Sequence, residues 1–343
     1  MSIVRQIGIS MERVGAEQRA AKSTPRSRRI SFDELGIVLA LALFLFIGAV
    51  SSPYFLTVTN LAGILQNITF LGFLCIGVGL TLMAGEIDIS VGSIFGLTAV
   101  ITALLLKAGY PLAVAILAGL AAGLVCGFAN GAVAQAIKVP AVVVTLATLG
   151  IYRAIALALA NGSPVGGLPD LPLFFDWFGQ GGIAQISYIT ILFLAVAIVS
   201  EVALRWTSSG YRLLAIGSNP RAAHLVGFKV ERTRVLVLSF SGLMAGLSGV
   251  CSVAYLNTAG PTAGTGYELS VLAATIIGGV KLTGGRGSII GVLLGLCVIG
   301  LIQNLIVLWG VSPNWTQGVA GLVLIAAMTL TWATNRKELG DPG

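Results

Sequence analysis

One histidine, His224, serves all 343 residues, and only 10 % of the chain is charged, where an ordinary soluble domain carries about 25 %. A single imidazole, placed in a polar stretch, excludes an intramembrane Ser-His hydrolase and a histidine-rich metal centre. Cysteine is scarce too. Cys75, Cys126, Cys251 and Cys297 all lie inside apolar segments without CxxC spacing, so they read as small packing residues and imply no disulfide, metal or redox site. No G-x-x-x-x-G-K-[ST] phosphate loop occurs, so the chain cannot hydrolyse ATP by that route. The expectation is a protein with no catalytic residues, no metal and no cofactor of its own.

What is plentiful is apolar surface, at 56 % of residues and a mean hydropathy of +0.97. Runs of about 17 to 25 apolar residues cross a bilayer as helices. They fall near 35–51, 61–84, 88–106, 112–137, 140–160, 186–205, 233–256, 269–280, 288–310 and 315–333. The expected fold is therefore all-α, a polytopic membrane protein with about ten transmembrane helices.

The net charge of +7 does not point to nucleic acid, because basic residues sit at the ends of apolar runs and not along one amphipathic face. With the N-terminus inside, the cytoplasmic side receives Lys138, the cluster from Arg205 to Arg234, Lys281, Arg286, Arg336 and Lys337. Only Lys107 falls outside, while Arg153 lies within a span. That asymmetry sets the orientation, with both termini cytoplasmic. Residues 1–34 hold seven basic residues and no short apolar core ending in a small-residue cleavage site, so they are expected to be a retained cytoplasmic tail. The transmembrane domain is then 35–334, with a short cytoplasmic tail at 335–343.

Two glycine ladders stand out: Gly119, Gly123, Gly127 and Gly131 in the fourth run, and Gly287, Gly291 and Gly295 in the ninth. Spacing of four puts small residues on one helix face and lets backbones approach closely. An echo also links the halves, since Gly92-Ser93-Ile94-x-Gly96 recurs 195 positions later as Gly287-Ser288-Ile289-x-Gly291. Two related four-span units are expected from it, as repeats often build transporters. The external connections Ser52 to Asn60, Asn161 to Gln185 and Asn257 to Glu268 carry no basic residue, and the longest, Asn161 to Gln185, holds the cluster Phe174, Phe175, Trp177 and Phe178. It is expected to rest partly at the membrane interface and to offer a surface to an external partner.

Charged groups near lipid are costly and demand a reason. Glu86 and Asp88, with Ser90, lie between two apolar runs; they are candidates for a gate or pathway, or for capping the next helix. The echo sets Lys281 opposite Glu86, so Lys281 or Arg286 is expected near Glu86 or Asp88. The run Leu269 to Ile277 is short for a complete span and points to a broken helix or re-entrant turn. Arg153 needs a carboxylate partner or a route by which its guanidinium snorkels to water. Gln66, Asn67, Gln303 and Asn304 suit interhelix contacts or a hydroxyl-rich solute.

The polar interval from Thr207 to Arg234 separates two apolar blocks. Within it, Ser218 or Asn219 can cap a helix, Pro220 fits its first position and Gly227 its left-handed stop. The spacing predicts a helix over about Pro220 to Val226, roughly 10 Å long, suited to docking in a partner's groove. Ala222 and Ala223 are the small residues expected to seat there.

Three long motifs, Met83 to Val100, Leu214 to Val250 and Gly266 to Gly295, together resemble the ribose-type permeases of bacterial ABC sugar importers. The likeness runs from about Leu35 to Trp332. It implies an inner-membrane permease subunit that pairs with a second permease chain and receives a monosaccharide from a periplasmic binding protein. It also implies a separate ATP-binding subunit, which carries the ATP and Mg. By resemblance, Gly217, Asn219, Ala222, Ala223 and Gly227 belong to the loop that couples to that subunit. Glu86 departs from the family pattern, in which many members have glycine. The rival readings are a proton-coupled secondary transporter using Glu86, Asp88 and Arg153, a passive channel, and a membrane-embedded enzyme.

Overall fold

Polar residues punctuate the apolar runs where the helices start. Thr57, Ser187, Thr207, Asn219 and Ser288 each turn a side-chain oxygen onto the backbone N–H three residues on, a cap that contributes about 1 kcal/mol per helix. The computed structural model describes residues 32–168, 173–183, 185–312 and 315–338. The described residues form thirteen helices: α1 (Phe32–Ser51), α2 (Val58–Met83), α3 (Val91–Lys107), α4 (Leu112–Ala136), α5 (Ala141–Leu159), α6 (Leu173–Gln180), α7 (Tyr188–Trp206), α8 (Ser208–Ser218), α9 (Pro220–Leu225), α10 (Val230–Leu256), α11 (Tyr267–Ile277), α12 (Ile289–Leu308) and α13 (Thr316–Glu338). A two-residue ribbon, β1 (Gly182–Ile183) with β2 (Ile186–Ser187), is antiparallel, and the architecture is otherwise helical. The expected tail at 1–34 falls almost wholly outside the described residues. At the other end α13 continues to Glu338, into the stretch read as a tail.

Each of the ten expected spans coincides with a helix, α6, α8 and α9 being the extra ones. Six of the ten, α2, α4, α5, α7, α10 and α12, are long and apolar enough to cross a membrane. The other four contain apolar helices of 10–17 residues. At 1.5 Å per residue the 11 residues of α11 reach only about 16 Å, half of a 30 Å hydrocarbon core. The irregular segment 257–266 precedes it, and the Pro261 and Ala263 carbonyls of that segment are met by Arg153, about 18 Å along α5 from its start. Backbone without helical pairing survives at such depth because protein donors satisfy it.

Helix α10 is the axis of the bundle, packed by α2, α3 and α4. Its own small residues make that possible. A methyl placed on Gly123 would lie 2.5 Å from the Gly242 carbonyl oxygen and 2.9 Å from the Gly246 Cα, so α4 and α10 touch backbone to backbone. On α2, Gly77 likewise faces the Ser241 Cα, at 2.8 Å from where a Cβ would stand. The ninth-run ladder does the same work locally: Gly291 and Gly295 press α12 onto the Gly278 and Ala274 carbonyls at the end of α11. Large apolar side chains point the other way, with Leu117 and Val125 on α4, Leu146 and Ile151 on α5, and Ile198 and Val202 on α7 all exposed. Such surface would be an aggregation hazard in water and is the solvated face of a helix in lipid. In the long connection between α5 and α7, Phe175 is buried and Gly179 of α6 sits on the Ala254 backbone, so this short helix is seated on the C-terminal end of α10.

The echo between the halves takes a definite form. Helix α2 ends with Gly85 at φ +81° and the pair Gly85 N–H to Leu82 O and Glu86 N–H to Thr81 O; α11 ends with Gly279 at φ +82° and the pair Gly279 N–H to Ile276 O and Val280 N–H to Thr275 O. These are matching left-handed stops, 194 positions apart. The next helices begin at Val91 and Ile289, 198 apart, because the second turn is longer. This corrects the register of 195. Val280, not Lys281, stands opposite Glu86, and Ser93 lies inside α3 where Ser288 caps α12.

Candidate functional site

The polar interval forms the helix its sequence predicts. Asn219 is its cap, with Oδ1 accepting the Ala222 N–H at 3.0 Å; Pro220 is its first residue; and Gly227, at φ +88°, follows its end. The stop is again a left-handed one, with Phe228 N–H reaching Ala223 O and Gly227 N–H reaching His224 O. One expectation is corrected here. Ala223 is 3 % exposed and packs inward, whereas Leu225 and Val226 are 86 % and 70 % exposed. The face free for a partner is therefore Ala222, Leu225 and Val226, an apolar knob.

Immediately before this knob, α8 ends against the two matching turns. A Cβ on Gly217 would overlap the Met83 carbonyl oxygen and stand 2.5 Å from the Gly285 N, and one on Gly284 would lie 2.9 Å from both the Gly217 oxygen and the Gly85 Cα. Gly285 N–H donates to Met83 O at 2.9 Å, closing the crossing. Only glycine permits three backbones to meet this closely, and Gly85, Gly284 and Gly285 also hold positive φ. The end of α8, just before α9, thus rests by backbone contact on the end of α2 and on the turn between α11 and α12.

Carboxylates anchor the surrounding helix starts. Glu86 accepts the Ala141 N–H at the first turn of α5 (3.2 Å) and pairs with Arg234 of α10, Oε1 to Nε 2.9 Å; the Arg234 Nε–H is not aimed along that line, so the contact is an ion pair and not an aligned hydrogen bond. Glu201 of α7 accepts the Ile289 N–H of α12 at 2.7 Å and pairs with Arg205. Negative charge at a helix N-terminus meets both the unpaired N–H groups and the positive end of the helix dipole. Glu86 therefore forms its ion pair with Arg234 and not with Lys281 or Arg286. Those two flank a tight turn in which Lys281 N–H reaches Arg286 O, and Arg286 is exposed. The turns meet, but through glycine backbone and not through charge.

Asp88 is completely buried and no cation pairs with it among the described residues. Its Oδ1 accepts both the backbone N–H and hydroxyl of Ser90 (3.0 and 2.7 Å), and its Oδ2 accepts the Ser241 hydroxyl (2.8 Å). The chain of bonds continues from Asn130 Nδ2 to Ser90 Oγ and from Tyr152 OH to Asn130 Oδ1 and Cys126 O. One network thus ties the start of α3 and the middle of α10 to α4 and α5. Every member is satisfied, the condition under which buried polar groups rigidify a core instead of weakening it.

Arg153 neither snorkels nor ends on a carboxylate. Its Nη1 donates to Pro261 O and Ala263 O (2.8 and 2.7 Å) and its Nη2 to Gly92 O (3.2 Å), pinning segment 257–266 onto α3. Asn304 lies at the opposite end of the α2–α12 pair, in a two-way amide contact with Asn60 (3.1 and 2.8 Å), and Gln303 donates to Ser270. The sequence-predicted pathway residues therefore occupy five places: Glu86 at the α5 and α10 starts, Asp88 with Ser90 in the buried network, Lys281 with Arg286 at the turn before α12, Arg153 at the 257–266 segment, and Asn304 at the far end. Asn130, Glu201, Arg234 and Ser241 complete these arrangements without having been singled out. Glu201 could have been found by the reasoning applied to Glu86, a carboxylate inside an apolar run; Ser241 carries no such signal.

Scarce charge, an internal pair of matched turns and the capped helix α9 accord with a membrane permease, which the comparisons identify. The family model described as "Branched-chain amino acid transport system / permease component" matches residues 60–328, and the chain belongs to that family of permease components. It is 35 % identical over 302 residues to the autoinducer 2 import system permease protein LsrC of Salmonella typhi, covering 86 % of this chain and 84 % of that one. It is 34 % identical over 307 residues to the ribose import permease protein RbsC of Bacillus subtilis (strain 168), covering 88 % and 95 %. The ribose import permease protein RbsC of Escherichia coli (strain K12) is 34 % identical over 302 residues, covering 88 % and 93 %.

Proposed function

We propose that this chain is the membrane conduit of an ABC importer that carries a monosaccharide, or a sugar-like signal of similar size, across the bacterial inner membrane. The relatives named for ribose and for autoinducer 2 support that substrate class. Ten crossings with both termini cytoplasmic fit the charge asymmetry. The solute arrives from a periplasmic binding protein, a second permease chain completes the pathway, and a separate ATP-binding subunit holds ATP and Mg.

The observation that carries this reading is the joint between α9 and the paired turns. An apolar knob with Leu225 and Val226 exposed is backed, through Gly217, by direct backbone contact with Met83 and Gly285. A partner gripping the knob moves the ends of both repeated hairpins together, which is what alternating access requires. The proton-coupled rival finds less support. Arg153 is committed to three carbonyls, Glu86 to Arg234 and Ala141, and Asp88 to Ser90 and Ser241.

The test is reconstitution of the permease with its ATP-binding subunit and binding protein in liposomes, loading radiolabelled ribose. Uptake should need ATP inside and survive collapse of the proton gradient. Uptake that persists without ATP and stops with the gradient would overturn the proposal in favour of the secondary transporter.

A further inference from the structure

A groove of about 800 Å³ opens between the C-terminal turns of α7, the body of α8, the linker 226–229 and the first turns of α10. Its floor and walls are apolar, including Leu204, Leu213, Phe228, Val237 and Phe240. Arg212, Lys229 and Arg232 also line it, and no carboxylate does. The nearby acids face elsewhere. Glu201 is taken up by Ile289 and Arg205, and Glu231 lines the neighbouring depression beside α9, which Lys229 and Arg232 also line, without an ion pair to either.

The groove sits at the level where a bilayer turns from hydrocarbon to headgroups. Val199 and Leu236 line it and are 66 % and 57 % exposed, on helices long and apolar enough to span. Trp206 and Tyr211 are exposed on the same elements, as aromatic residues are where a helix leaves the membrane. A water-soluble subunit cannot reach walls that lie in lipid, while an acyl chain fills them at no desolvation cost. Three cations with no ion-pair partner among the described residues call for a negative headgroup.

We propose that this groove is a binding site for an anionic phospholipid, with an acyl chain along the apolar walls and the phosphate among Arg212, Lys229 and Arg232. Arg212 already has its guanidinium carbon 5.9 Å from the centre of the Phe228 ring, which holds the charge over the groove's apolar lining. The linker residues Val226 to Lys229 belong both to the groove and to the stop of α9. A bound lipid therefore braces the base of the knob. Which leaflet supplies the lipid rests on the orientation given above; the binding itself does not.

The experiment is native mass spectrometry and thermal melting of the full-length permease, delipidated and titrated with phosphatidylglycerol, phosphatidylcholine or free glycerol phosphate. Phosphatidylglycerol should be retained and should raise the melting temperature, and the other two should not. The double variant Arg212→Gln/Arg232→Gln should hold phosphatidylglycerol about 25-fold more weakly, on the order of fivefold per charge, which corresponds to ~1 kcal/mol for each basic residue near an anionic membrane surface. Lys107→Gln/Lys138→Gln, which removes the same charge elsewhere, should keep it. Equal retention of phosphatidylcholine, equal effect of free glycerol phosphate, or equal loss in both double variants would overturn the proposal. A Leu236→Trp variant, which fills the wall and leaves every charge in place, should also lose the lipid, and full retention by it would show that the groove is not the site.

Discussion

Replacing Gly123 by alanine adds one methyl where α4 crosses α10, and the structure sets the consequence. The new Cβ would stand 2.5 Å from the Gly242 carbonyl oxygen, 2.9 Å from the Gly246 Cα and 3.1 Å from its N, where ordinary contact begins at 3.4 Å. All three obstacles are backbone, so no side chain can swing aside. The helices must part by about 0.9 Å, and an overpacking of this kind costs about 1–3 kcal/mol. Parting also loosens the ladder at Gly119, Gly127 and Gly131, since a gap of 0.5–1 Å forfeits roughly a quarter to a half of each contact's attraction. The expected total is the upper half of that range. Gly150 of α5 supplies the control, because nothing lies within 4 Å of its would-be Cβ; Gly150→Ala should be neutral or gain up to about 0.5–1 kcal/mol from the lower backbone entropy of alanine. Reversible unfolding in mixed micelles with increasing SDS reads both. The midpoint should fall for Gly123→Ala and not for Gly150→Ala, and Gly242→Ala added to Gly123→Ala should cost less than the sum because both open one gap. An unchanged midpoint for Gly123→Ala would refute close backbone packing as the basis of this interface.

On α9, Leu225→Glu puts a carboxylate on the exposed apolar knob and should leave a folded, inserted permease that no longer co-purifies with its ATP-binding subunit, since docking would desolvate an unpaired charge. Ala223→Glu should instead lower the melting temperature, because that site is buried; wild-type uptake in the Leu225 variant would remove α9 as the coupling element. Arg234→Gln strands the Glu86 carboxylate and should destabilise by about 1–3 kcal/mol, less than a fully buried pair would, because the Arg234 side chain is 24 % exposed. Adding Glu86→Gln should recover part of the loss, and purely additive midpoints would show that the pair does not interact. Asn60→Ala and Asn304→Ala should each cost about 0.6 kcal/mol and at most roughly 1.7, with little further loss in the double variant; an additive double variant would mean that the amides are separately engaged.

Much of this was legible without coordinates. The ten helical stretches, the direction of the charge bias and the capped turn at Asn219, Pro220 and Gly227 all follow from local chemistry: hydrocarbon thickness, unpaired N–H groups at helix starts, and the φ that only glycine takes easily. Periodic glycines announced close packing for the same reason. Tertiary structure alone decided which surfaces meet. Arg234 pairs with Glu86 across 148 positions, and Ser241 reaches Asp88 across 153. Serine on an apolar helix can as readily bond its own backbone, so no sequence signal separates Ser241 from Ser239, which does that. The two turns share the left-handed stops at Gly85 and Gly279, which set Val280 and not Lys281 opposite Glu86, and only the structure shows those stops and the longer second turn that follows. Ala223 and Leu225 are both apolar and two residues apart, about 200° around a helix; which one turns inward depends on where α8 and α10 stand, and a six-residue helix has too little periodicity to say.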